Sequence, residues 1–169
     1  MAAYAFEPTV LDGFLAAPNP EGSATDAAEA LWEDCCAAAV ERWSPRSPQF
    51  LRQTLTDRPP YRKAVPDPKP LEQAWALLCQ TFGAMGAPQQ GLPWWLDRFA
   101  RDAFVRITRP TGLRSLVAAV GATDLLAQTL PLLPLMDCSG FEEDLSSMVA
   151  FVTRTANLDR SLVIFHWTS

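Results

Sequence analysis

The sequence is poor in the residues on which most catalysis and metal binding depend. It holds one histidine, His166, so imidazole chemistry would rest on a single side chain in an apolar run near the end. Its four cysteines, Cys35, Cys36, Cys79 and Cys138, include no C-x-x-C pair, and no His-Glu-x-x-His pattern occurs. No metal site and no cofactor are therefore expected. Glycine-rich phosphate loops are missing as well. Lysine occurs twice, at Lys63 and Lys69, and the net charge is −5, which argues against a nucleic-acid partner. No basic stretch followed by an apolar one opens the sequence, so no secretory signal is expected, and the four cysteines read as reduced thiols of a cytoplasmic protein.

What is present is apolar surface for one core. The chain has 169 residues, 49% of them hydrophobic and 20% charged, a globular composition. Residues 116–135, "LVAAVGATDLLAQTLPLLPL", form the longest apolar stretch. Asp124, Gln128, Pro131 and Pro134 interrupt it, so it reads as a core helix and not a membrane span.

The periodicity predicts helices almost throughout. Pro8 opens one over 8–17, and an alanine-rich helix with acids in its first turns covers 25–43. A short helix follows "SPQF" (47–50). Residues 57–70, with five prolines in fourteen, read as an extended surface connection. Leu71, Trp75, Leu78, Cys79, Phe82 and Met85 share one helix face. Further helices are expected from Trp94, from Leu113 and from Ser139, the last with a capping box to Glu142. Only "SLVIFHW" (161–167) departs, as a strand or extended segment. The expectation is an all-α fold of six to seven helices, a bundle or orthogonal array, forming a single helical domain over 1–169.

Candidate chemistry is sparse. "MDCSGF" (136–141) could set Cys138 at a helix start with a lowered thiol pKa, which with His166 gives the two catalytic candidates. Charge is more informative. Residues 1–41 carry −8, 42–63 carry +5, 98–114 carry +4 and 115–153 carry −5. Such blocks can pair within one fold or present opposite faces to partners. In "GLPWWLDRFARDAFVRITR" (91–109), Trp95, Leu96, Phe99, Ala103 and Ile107 make a buried-type stripe at helical spacing. Trp94 is rotated towards Arg98 and Arg101. Trp94 with Arg98, Arg101, Arg106 and Arg109 is the candidate partner-binding surface, because tryptophan and arginine dominate protein interfaces. Burial of Trp94 in a second core wall is the competing assignment.

Residues 96–126, with Leu113, Arg114, Leu116 and Gly121 after a helix and a short turn, resemble the helical end of the K-type accessory subunits of bacterial type III secretion sorting platforms. That resemblance implies an adaptor or scaffold subunit. Composition, rich in alanine, proline, arginine and tryptophan, points to a GC-rich bacterial source. The leading expectation is a non-catalytic binder of another protein, an immunity protein or a secretion chaperone, since a small acidic domain can mask a basic surface. A thiol-dependent enzyme at Cys138, a helical lipid binder and a homo-oligomer stay open beside it.

Overall fold

A computed structural model describes residues 1–20, 24–47, 69–82, 89–123, 126–127 and 140–167. Four strands stand at its centre, so the all-α expectation is corrected to a mixed α/β fold. The chain runs β1 (Ala2–Phe6), α1 (Pro8–Leu15), α2 (Ala24–Ala37), β2 (Glu41–Trp43), α3 (Lys69–Phe82) and α4 (Trp94–Asp97). A 3-10 turn (Arg98–Arg101), β3 (Ala103–Thr108), α5 (Pro110–Thr123), α6 (Phe141–Asn157) and β4 (Ser161–Trp167) follow. The sheet order is β2-β1-β4-β3 and every pairing is antiparallel.

Each missed strand has a physical reason. Ala103, Val105 and Ile107 face one side of β3, while Phe104 and Arg106 point the other way. A spacing of four is even, so Trp95, Phe99, Ala103 and Ile107 fit a strand's period of two as well as a helix. The β-branched Val105, Ile107 and Thr108 favour the strand. The helix expected over 25–43 stops at Ala37. Val40 then donates its N–H to the Ala5 carbonyl (2.9 Å), and Glu41–Trp43 pair with Ala3–Ala5. β1 gave no signal because all five of its residues are buried, three of them alanines.

Helices cover both faces of the sheet. On one side α3, α5 and α6 bring Trp75, Phe82, Leu113, Phe141 and Phe151 against Ala3, Ala5, Leu162 and Ile164. On the other, α1, α2 and α4 bring Leu11, Cys35, Trp95 and Leu96 against Tyr4, Phe6, Val105, Val163 and Phe165. A strand buried on both faces needs no polar alternation, which is why "SLVIFHW" reads as one apolar run. At the outer edge of β3 the Gln89 side-chain carbonyl accepts the Ile107 N–H (2.7 Å).

Other boundaries shift by a few residues. α3 begins at Lys69, so residues 69 and 70 of the proline-rich connection are helical, and its remainder, 57–68, lies outside the described residues, as does most of the helix expected at 47–56. α5 starts at Pro110, a proline at the first helical position. α6 follows Gly140, whose φ of +79° is the left-handed conformation glycine favours, and no side-chain cap is made there; Ser139 lies outside the described residues. α6 ends in a Schellman turn: Arg160 N–H donates to the Thr155 carbonyl (2.9 Å) and Asp159 N–H to that of Ala156 (3.1 Å). That turn reverses the chain into β4. No helix among the described residues is long and apolar enough to cross a membrane.

Candidate interaction surface

The tryptophan pair at 94–95 is used structurally. Trp95 is fully buried and its indole N–H donates to the Phe14 carbonyl (3.0 Å). Trp94 is half-buried, packs beside it, and donates to the Ala17 carbonyl (2.9 Å). Both indoles therefore hold the end of α1.

The described arginine side chains of the same stretch do not converge. Arg98 is exposed and donates to the Thr25 hydroxyl (3.1 Å). Arg101 belongs to the 3-10 turn, and its side chain lies outside what is described. Arg106 lies on the opposite face of β3 and bonds the Gln80 carbonyl. Arg109 pairs with Asp12 (2.7 Å). The charge blocks thus pair partly within the fold: Arg160 meets Glu7 (2.9 Å), and Arg154 meets Glu41. All are surface pairs, each worth roughly 0–1 kcal/mol.

A different group of aromatics reaches solvent. Val163, Phe165 and Trp167 point to one face of β4, and Trp167, the last of them, is 51% exposed. Its ring meets Phe165 (5.0 Å between centroids) and Phe99 (6.1 Å) edge to face. Phe165 stacks on Trp32 of α2 at 4.4 Å, and Trp32 meets Tyr4 at 5.6 Å. Five rings thus run from the sheet to the surface, fixed by mutual contact. At the other end Arg42, itself exposed, places its guanidinium 5.4 Å from the Tyr4 ring centre. Nothing in the apolar run 161–167 sets Trp167 apart from its buried neighbours, so the sequence does not mark it as exposed.

α2 borders this cluster. Asp26, Glu29, Ala30, Glu33, Asp34 and Ala37 form its exposed stripe, at spacings of three and four. Among the described residues none of these four acids has an ion-pair partner.

The thiols and the imidazole lie apart. Cys35 and Cys36 are free thiols. Burial, then the neighbouring Cys36, pushes the Cys35 thiol up to about 12. Burial also raises Cys36, against the opposing effects of its bond with Tyr4 and the charge of Arg42. Neither is an activated nucleophile. His166 sits opposite Phe104; burial, then the positive Met1 amine, lowers its pKa, and its Nδ1 has no hydrogen-bond partner among the described residues. Cys138 lies outside the described residues. No group of three or more His, Cys, Asp or Glu side chains among the described residues could hold a metal. An apolar groove of about 240 Å³ runs between α5 and α6, lined by Leu116, Val120, Val149 and Val152.

No family model, no curated protein and no solved structure matches this chain.

Proposed function

We propose that the chain is a non-catalytic protein-binding module of the masking kind, an immunity protein or a secretion chaperone, acting in the cytoplasm. The observation that carries this reading is Trp167: half its surface meets water, while Phe99 and Phe165 hold its ring in place. A pre-positioned, exposed indole loses little conformational entropy on binding and buries a large apolar area, the properties of an interface anchor. The adaptor alternative is weakened, because the resemblance called for a helix where residues 103–108 form β3.

The test is affinity capture from the native host with wild type, Trp167→Ala and Trp94→Ala side by side, each first shown folded by circular dichroism. One stoichiometric protein on the wild type, lost with Trp167→Ala, is the expected result. Capture that survives Trp167→Ala removes Trp167 as the anchor. A wild type that captures nothing removes the binding-module reading and redirects work to Cys138 and small ligands.

A further inference from the structure

We infer that the partner presents a basic surface, with an arginine or lysine side chain laid against Trp167 and Trp32 and the rest of its basic patch over the outer stripe of α2. This inference rests on the protein-binding reading and adds to it the chemistry and place of recognition.

The fold neutralises acids of its amino-terminal block on other elements. Glu7, Asp12 and Glu41 each meet an arginine supplied from elsewhere in the chain. On α2, by contrast, Asp26, Glu29, Glu33 and Asp34 lie on one exposed stripe, and none meets a described basic group. Carboxylates three and four positions apart repel each other, so the stripe is a local cost to the helix. Asp97 and Asp102, exposed at either end of the turn beside the cluster, add to the same sign. Among the described residues, six carboxylates there outnumber two arginines, Arg42 and Arg98. Arg42 is already engaged over Tyr4 and Arg98 on Thr25.

Trp32 joins the two features. Its ring stacks on Phe165 within the cluster, while Glu29 lies one turn before it and Glu33 next to it in the chain. An aromatic face bordered by carboxylates attracts a cation twice, through the ring quadrupole and through charge. Anionic lipid and nucleic acid have the wrong sign for such a surface. A second copy of this chain would set like charge against like.

The test is a titration of isotope-labelled protein with nona-arginine peptide, followed by the indole and amide NMR signals. Nona-glutamate serves as the sign control. Glu29→Lys/Glu33→Lys is compared with Glu142→Lys/Glu143→Lys, which makes the same charge change at exposed acids of α6. With nona-arginine, the Trp167 and Trp32 indole N–H signals and the α2 amides should shift. The α2 variant should weaken binding by about tenfold and the α6 variant by far less. Equal weakening by both variants, or shifts spread over every acidic segment, overturns the inference. Capture of the native partner separates the two levels. A partner lost with Trp167→Ala but kept by Glu29→Lys/Glu33→Lys leaves the binding module standing and ends the basic-surface inference. No captured partner ends both.

Discussion

The Asp144 carboxylate accepts the backbone N–H of Ser47 at 2.7 Å, between residues 97 positions apart in sequence. Its other oxygen accepts the N–H of Arg46 at 2.9 Å. One buried side chain in the first turn of α6 therefore anchors the chain where it leaves β2. Because the donors are backbone groups beside the sheet, truncating the acid strands them without a partner. Asp144→Ala should cost about 2–3 kcal/mol in urea unfolding, and Asp144→Asn, which keeps one acceptor, less. Gly140→Ala should also destabilise, since it forces a left-handed φ on alanine and sets a methyl group 3.1 Å from Ser47 Cβ. A loss below about 0.5 kcal/mol for Asp144→Ala would mean the contact is not maintained in solution.

The two adjacent tryptophans should behave unequally. Trp95 is fully buried and Trp94 half-buried, although each donates one hydrogen bond to the end of α1. Trp95→Ala should cost about 3–5 kcal/mol by chemical denaturation, enough to threaten folding. Trp94→Phe, which chiefly removes one hydrogen bond, should cost about 1 kcal/mol. Equal losses for the two single substitutions would contradict the burial difference.

The thiols give a pH prediction. In the folded chain Cys35 has its pKa raised from the ordinary 9.0 to about 12 by burial. The folded state therefore holds this proton more tightly than the unfolded state. The resulting stabilisation is complete below pH 9.0 and is lost as pH climbs towards 12. Tyr4 acts in the same direction, raised from 10.0 to about 12 by burial, then by its bond with Cys36. Stability measured by urea unfolding should hold level up to about pH 9 and fall above it. Cys35→Ala/Tyr4→Phe should flatten that fall. Iodoacetamide at neutral pH should leave Cys35 unmodified until the protein unfolds; rapid labelling of the native protein would refute the assignment.

How much of this was legible in the sequence depended on whether burial was one-sided. α3 declared itself through Trp75, Leu78, Cys79 and Phe82, because one face meets the core and Gln73, Leu77 and Gln80 meet water. β1 is hidden because both its faces are covered and no alternation marks it, whereas the β-branched and aromatic run 161–167 reads as a strand or extended segment and is β4. β3 reads as helix because its apolar positions follow a helical stretch at intervals of four, a spacing common to both periods. For Trp94 the sequence leaves an interface face and a second core wall equally open, and the half-buried indole bonded to the Ala17 carbonyl has features of both, whereas Trp167 is exposed at the end of β4. The pairing of charge blocks was readable as an alternative, and the Arg109–Asp12 and Arg160–Glu7 contacts realise it.

The acidic stripe on α2, without an ion-pair partner among the described residues, predicts a conflict between stability and binding. Asp34 lies in the last turn of the helix, where the exposed carbonyls carry partial negative charge, and Ala30, one turn earlier, offers it no counter-charge. Asp34→Lys removes an unfavourable dipole interaction and adds a favourable one. It should raise stability by about 0.5–1 kcal/mol at low salt, with most of the gain gone at about 1 M salt. Glu33→Lys, at one position's remove from that turn, should gain less. If the stripe serves a basic partner, both variants should be more stable and bind nona-arginine more weakly. A substitution that improves the isolated protein while impairing recognition is expected only where the acids are kept for a partner. If Asp34→Lys is neutral or destabilising, α2 gains something from its acids within this chain, and the argument from unpaired charge loses its premise.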